Sequence, residues 1–489
     1  MQSLFQRLKN SLRSTRAGAF LFVTSLAITT AAVALPQGGI APSPLPKPEP
    51  QSEHVSSANG VKLTGSLSQT KLVQGADGTF YLELAIDTPA ETGSPKRTPV
   101  DMVVVLDRSG SMAAENRLPY AKSAIKDLLA RLTPEDRFGL ITFETSASVV
   151  SELSPVTEEF RRGEEQVVNG LSPAGSTNMS GGLVLAKSMI DRAGPGRLKK
   201  IILLSDGEAN LGVIDPNALA SIARGFSGSE TILSTIGMGL GFNEALMASL
   251  ADHGMGNFSY LESLASLGNI LSKDLEATRS VFASSSNVEL RLPAGFRVID
   301  TSGYPSERVS GSDTLRILTG QILSGVRKTL FVTVAAPTSN TGPLSVGDVQ
   351  LTYTKDGISS SLPLDTSDLA LQVVEPARRA EAVASVNQDL FKKSWIANNL
   401  GRMQQQFSSE MKAGSIGGAK SALTDYRKRA QDAESVYGVS ILDKVTSSTL
   451  SKMDGQADDA LVGTREEQAT KQNRAAKELL VEGRANQGK

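Results

Sequence analysis

Apolar residues change their spacing several times along this chain, and each change predicts a different kind of element. Two runs almost free of polar residues, Met102-Val103-Val104-Val105-Leu106 and Ile201-Ile202-Leu203-Leu204, predict strands buried on both faces, as in a parallel sheet. Around them the pattern predicts a helix near 116–131, a strand from Arg137 to Phe143 and a short edge strand near Ala147 to Val150. Two helical stretches flank the loop Gly175-Ser176-Thr177-Asn178. Asp215-Pro216 reads as a helix start, with Asp as N-cap and Pro at the first helical position. A strand over Thr231 to Ile236, a helix over Asn243 to Ala251 and a last short strand over Asn257 to Leu261 complete the series. Strands alternating with helices imply an α/β domain with a doubly wound, mostly parallel sheet. In such a sheet ligands bind beyond the carboxyl ends of the strands, where the strand order switches.

Period-two patterns lie on either side of this region. Val61 to Leu67 and Phe80 to Ile86 precede it; Val288 to Leu292, Thr329 to Val334 and Val349 to Tyr353 follow it, separated by Gly, Ser and Asn turns. Each group alone offers few strands for a stable core, so the expectation is one β-sandwich-like domain with the α/β domain inserted. Separate small β units are the alternative. From Pro376 onward the composition shifts to Ala, Gln, Lys, Arg and Glu. Ile396, Leu400, Met403 and Phe407, then Ala422, Tyr426 and Ala430, fall at helical spacing, and Gly414, Gly417 and Gly418 mark a turn. A C-terminal helical hairpin is expected, with Trp395 and these stripes packed in its core. The expected boundaries are 54–97 and 281–375 for the β domain, 98–280 for the α/β domain, 376–453 for the helices and 454–489 for a charged tail. The last stretch, from Gly463, is poor in bulky apolar residues and reads as a solvated helix or a disordered tail.

The amino terminus bears on compartment. Arg7, Lys9, Arg13 and Arg16 precede an uncharged stretch from Ala17 to Leu35, and no Asp or Glu occurs before Glu49. Residues 1–35 therefore read as a secretory signal, with Ala32-Val33-Ala34 as a small-x-small cleavage site, or as an uncleaved anchor in the inner membrane. Residues 36–53 form a Pro-rich linker. Either way the body of the protein is expected outside the cytoplasm, in the periplasm or at the cell surface.

Candidate chemistry sits where the first apolar run ends, at Asp107-Arg108-Ser109-Gly110-Ser111. In a tight turn the alternating Asp107, Ser109 and Ser111 side chains converge, while Gly110 lets the backbone fold closely. Hard oxygen donors of this kind suit a divalent cation, Mg²⁺ or alternatively Mn²⁺. Together with Thr177 and with Asp206 in Ser205-Asp206-Gly207, this turn resembles the von Willebrand factor type A family, over about residues 98 to 280. That family's metal-ion-dependent adhesion site combines an Asp-x-Ser-x-Ser turn with a distant Thr and a distant Asp, and all five positions are filled here. The resemblance implies a Rossmann-like sheet with the strands bearing Asp107 and Asp206 side by side. It implies that Ser109, Ser111 and, in some states, Thr177 touch the metal, while Asp107 and Asp206 act largely through water or hydroxyl hydrogen bonds. A cation so held would favour an Asp or Glu carboxylate from a partner protein. The arrangement of the flanking regions also resembles bacterial envelope proteins with this central domain.

Composition narrows the alternatives. At 489 residues with 40% apolar content the chain has room for about three domains with ordinary cores. A net charge of −1 offers no electrostatic footprint for nucleic acid. Without cysteine there is no disulfide, thiol catalysis or lipobox, and two histidines, His54 and His253, exclude a histidine-rich metal site. Gly237-Met238-Gly239-Leu240-Gly241 does not fit a dinucleotide fingerprint, and no G-x-S-x-G elbow presents a nucleophile. Enzyme function is therefore not expected. The leading expectation is an exported, metal-dependent protein-binding or adhesion module; the alternative is a scaffold subunit of an envelope assembly or ATPase-linked machine whose metal is structural.

Overall fold

The computed structural model describes residues 54–90, 98–194, 196–226, 229–239, 242–261, 270, 274–367 and 369–486. The expected signal or anchor over 1–35 and the linker over 36–53 lie outside the described residues.

Four strands open the described chain: β1 (His54–Ala58), β2 (Val61–Leu67), β3 (Lys71–Val73) and β4 (Thr79–Asp87). β1, β2 and β4 join Lys328–Ala335 and Arg297–Asp300 in one antiparallel sheet, in that spatial order. Leu84 on β4 stands opposite Leu330, so residues from both sides of the α/β domain supply neighbouring strands. This is the physical content of the insertion. A second five-stranded sheet, built from residues 285–364, packs over the first. Phe80, Leu82 and Leu84 on β4 share their core with Val288, Leu290 and Leu351. Each such side chain contributes about 2 kcal/mol by leaving water. The opposite face of β4 carries Tyr81, which packs edge-on against Phe391 of the C-terminal helices at 5.3 Å between ring centroids. β3 pairs with Ala370–Val374 in a separate three-stranded sheet.

The inserted domain holds a six-stranded sheet of β5 (Val100–Asp107), β6 (Arg137–Phe143), β7 (Ala147–Pro155), β8 (Leu198–Ser205), β9 (Thr231–Met238) and β10 (Met255–Leu261). The spatial order is β10-β9-β8-β5-β6-β7, parallel except for β7 at the edge. β7 extends to Pro155, beyond the expected Val150, because its half-exposed edge position needs no continuous apolar run. Helices on the faces include α1 (Arg117–Arg131), α2 (Glu158–Gly170), α3 (Met179–Asp191), α4 (Pro216–Arg224) and α5 (Glu244–His253). Met102, Val104 and Leu106 of β5 meet Leu118, Ile125 and Leu129 of α1, whereas Val103 and Val105 meet Leu183, Ala186 and Ile190 of α3. Alternation along a strand buried on both faces thus builds two cores. Side chains of Thr157, Asn178, Asp215 and Asn243 cap α2 to α5 by accepting backbone N–H bonds. Each cap contributes about 1 kcal/mol. The chain passes from β5 to β6 and β7 on one side and returns through β8 to β9 and β10 on the other, so the strand order switches between β5 and β8.

The C-terminal region goes beyond the expected hairpin. α6 (Gln388–Lys412) and α7 (Ile416–Tyr437) turn at Gly414, whose φ of +72° suits glycine, while Gly417 and Gly418 lie inside the first turn of α7. Trp395 packs against Tyr426 at 5.1 Å, in the core. Two further helices follow, α8 (Lys444–Asp459) and α9 (Arg465–Asn486). The segment from Gly463, expected as a solvated helix or a disordered tail, is the helix α9, and it buries Ala475, Ala476 and Leu479 in the helical core rather than lying wholly in solvent. Bulky residues are not needed where small ones allow close approach. The Ser408 hydroxyl donates to the Ala476 carbonyl at 2.7 Å, and a methyl group on Gly483 would stand 3.1 Å from the Gly401 carbonyl oxygen.

Candidate metal centre

Asp107 is the last residue of β5, and Leu106 before it stands opposite Leu204 of β8, which leads directly to Ser205 and Asp206. Fully buried, the Asp107 carboxylate accepts from the Ser109 backbone N–H at 2.8 Å through Oδ1 and from the Ser205 hydroxyl at 2.6 Å through Oδ2. The first bond closes the tight turn; the second locks the two strand ends together. Ser205 Oγ also accepts from the Gly207 N–H at 2.8 Å, which shapes the loop carrying Asp206. Ser109 Oγ and Ser111 Oγ lie 3.1 Å apart, so the alternating hydroxyls do converge.

Thr177 arrives on a separate loop tied to the first. The Gly110 N–H donates to the Gly175 carbonyl at 3.1 Å, and the Ala174 N–H donates to the Arg108 carbonyl at 2.7 Å. Gly175 has φ of +66°, and a side chain there would collide with Glu144 and Thr145. Thr177 itself is buried; its N–H donates to Asn210 Oδ1 at 2.8 Å, and its carbonyl accepts from the N–H groups of Asn210 and Leu211, both at 3.2 Å. The loop after Asp206 therefore fixes the Thr177 backbone. Four of the five residues singled out from sequence are joined to one strand junction through side-chain contacts with each other or with Ser205 and Arg117; Thr177 joins through its backbone.

Three participants escaped the sequence reading. Ser205 stands inside a quoted motif yet had no assigned role, and Asn210 leaves no periodic signal. Arg117 did leave one: a cation in the first turn of α1 opposes the helix dipole, so it needs a carboxylate partner. That partner is Asp206, whose Oδ2 accepts from Arg117 Nη1 at 3.0 Å.

Burial pushes the Asp107 carboxyl up to about 6, against the hydrogen bonds from Ser109 and Ser205, while the nearby Asp206 charge pushes the same way as burial. Asp206 Oδ1 is buried and has no hydrogen-bond partner among the described residues. An unpartnered buried carboxylate oxygen is costly unless something cationic or protic meets it. Among the described residues no cluster of three His, Asp or Glu side chains could hold a metal, so a cation here would rest on two carboxylates and three hydroxyls. That oxygen-only set fits a hard divalent ion.

Residues 102–208 match the family of the von Willebrand factor type A domain. This stretch is similar to a von Willebrand factor type A domain. Over 254 residues it is 28% identical to the protein YfbK of Escherichia coli (strain K12), covering 51% of this chain and 44% of that one. Over 233 residues it is 29% identical to the protein sll0103 of Synechocystis sp. (strain ATCC 27184 / PCC 6803 / Kazusa), covering 47% and 52%. The chain thus spans about half the length of these two bacterial relatives. In fold it is similar to the von Willebrand factor type A protein from Catenulispora acidiphila, with a TM-score of 0.64 and 18% identity over 88% of this chain and 97% of that one. The similarity extends well beyond the α/β domain, to the mixed architecture with its C-terminal helices. Domains of this type generally serve protein interaction or adhesion.

Proposed function

We propose that this protein is an exported, non-enzymatic binding module in which a Mg²⁺ or Mn²⁺ held by Asp107, Ser109, Ser111, Thr177 and Asp206 accepts an Asp or Glu carboxylate from a partner protein. The observation that carries the reading is the junction itself: two buried carboxylates and a hydroxyl pair meet where the strand order switches, and Asp206 Oδ1 remains unpartnered there among the described residues. Neutral hydroxyls compensate little of a cation's charge, and Arg117 already offsets part of the Asp206 charge. An anionic ligand from outside would restore the balance.

The surroundings support a protein ligand. Leu211, Val213 and Ile214, the last 56% exposed, follow Asp206 within eight residues of the chain and leave apolar side chains open to a ligand. Catalysis finds no support in the histidines: His253 lies at the end of α5, with its Nδ1 engaged by the Ser249 carbonyl at 2.8 Å, and His54 lies in β1. Export rests on the basic and apolar segments of residues 7–35. Among the described residues no helix is long and apolar enough to cross a membrane. Affinity capture from envelope extracts, with and without chelator, tests the function. Binding lost on chelation and in Asp107→Ala supports it; partners retained equally under both conditions assign the metal a structural role instead.

A further inference from the structure

We propose that Arg117 is a positioning residue of the metal centre: it clamps one oxygen of Asp206 so that the other stays available to the cation or to its bound water. The proposal rests on the metal reading above. Arg117 Nη1 donates to Asp206 Oδ2 at 3.0 Å and lies 3.4 Å from the carbonyl oxygen of Ser111, so one nitrogen spans both loops of the centre. Nη2 lies 3.3 Å from the Glu115 carboxylate. Asp206 Oδ1 is then the oxygen left without a partner, buried at the same junction.

The local structure bears several costs to put the guanidinium there. Glu115 and Asn116 are two successive non-glycine residues in the left-handed region, at φ +53° and +56°, at the kink where a 3₁₀ turn meets α1. Arg117 places a cation at the positive end of a helix dipole. Its side chain is 11% exposed against 1% for Asp206, and Arg117 Nε is buried without a partner among the described residues. A buried ion pair of this kind is poor at stabilising a fold, because desolvation offsets the attraction. Strain in the two residues before Arg117, with an adverse dipole and a desolvated charge at Arg117 itself, are what a positioning role explains and a stabilising role does not. Room for the side chain comes from Gly239 at the end of β9, where a methyl group would stand 2.5 Å from Arg117 Nε.

The test is Mn²⁺ titration of the full-length protein by calorimetry and by electron paramagnetic resonance, for wild type, Arg117→Met and Arg117→Lys, with unfolding midpoints in chelator recorded in parallel. If Arg117 orients Asp206, the methionine variant loses about tenfold to a hundredfold in Mn²⁺ affinity. The zero-field splitting of bound Mn²⁺ also changes, and lysine restores most of the affinity. Equal or tighter Mn²⁺ binding in Arg117→Met overturns the proposal and makes the guanidinium a mere counter-charge. Should the methionine variant not fold, Gly239→Ala displaces the guanidinium without removing it; unchanged affinity there overturns the proposal as well. Wild type that binds no Mn²⁺ defeats the metal reading itself, whereas wild type that binds while Arg117→Met binds equally defeats this inference alone.

Discussion

Lys477 of α9 donates its ammonium to the carbonyl oxygen of Gly239 at 3.0 Å, which ties the last helix of the chain to the strand end beside Arg117. The same ammonium lies 3.9 Å from the Phe242 ring centroid and 3.5 Å from the Glu244 carboxylate. Lys412 of α6 reaches Glu244 at 2.6 Å, and Arg484 grips Asp252 at the far end of α5 through bonds of 2.6 and 3.0 Å. The helical region is thus fastened along α5 by charged pairs, most of them shielded from solvent.

Burial pulls the Lys477 amine down to about 8 from its ordinary 10.5, with the Lys412 charge adding to the shift and Glu244 opposing it. The unfolded chain then binds more protons than the folded one between those two values. Stability should accordingly rise with pH above about 8 in wild type, by at most ~1.4 kcal/mol per pH unit from this group, and be indifferent to it below. Urea midpoints of wild type and Lys477→Met, compared between pH 7 and 10, check this. A constant difference across that range would show that Lys477 does not change its charge there.

Metal binding has its own direct measurement. Calorimetry with metal-free protein should register one Mg²⁺ or Mn²⁺ per chain, and Asp107→Ala should register none, because its carboxylate holds both the Ser109 turn and Ser205. Thr177→Ala should weaken binding while leaving the Asn210 contacts, which use the Thr177 backbone, in place. An equal heat in Asp107→Ala would refute the assignment of the centre.

How much of this was legible in the sequence depends on how local the signal is. β6 and the Asp215 cap were readable because an apolar run and an Asp-Pro pair specify their own conformation. The Asp107 turn was readable for the same reason. The pairing of Arg117 with Asp206 was not, since the two lie 89 residues apart and nothing in the spacing links them. The burial of α9 was not readable, because its segment is poor in bulky apolar residues, whereas Ala476 and Gly483 bury themselves by being small. Likewise Tyr81 looked like one residue of an alternating strand, and only the fold shows that both faces of β4 are covered.

That small-residue seam is sensitive to volume. Ala476→Leu and Gly483→Leu should each destabilise the protein by about 1–3 kcal/mol through overpacking against α6. Limited proteolysis should then cut within α9 before the α/β domain is touched. Resistance equal to wild type would mean that α9 and α6 are not packed as described.

Export can be read with a reporter enzyme active only outside the cytoplasm, fused after the Pro-rich linker. Wild-type residues 1–53 should give activity, and the double substitution Leu21→Arg, Leu26→Arg should abolish it. Mass spectrometry of the mature amino terminus distinguishes cleavage after Ala34 from retention as an anchor. Activity kept by the double variant would remove the case for an extracytoplasmic site.

Substitutions at three exposed apolar residues after Asp206 can test partner recognition apart from metal binding. Leu211, Val213 and Ile214 are 37%, 39% and 56% exposed, while the backbone of Leu211 is pinned to the Thr177 carbonyl. Their side chains can therefore be changed without moving the residues assigned to the cation. Ile214→Lys and Leu211→Ser should leave the Mn²⁺ titration unaltered. Capture of the chelator-sensitive partner should fall about tenfold, as expected when an apolar contact near a charged anchor loses ~1.4 kcal/mol. The partner should show the reciprocal behaviour, with one Asp or Glu whose amide form fails to bind. Metal affinity that falls in step with capture would place these residues inside the metal centre, and capture indifferent to both substitutions would put the partner on another face.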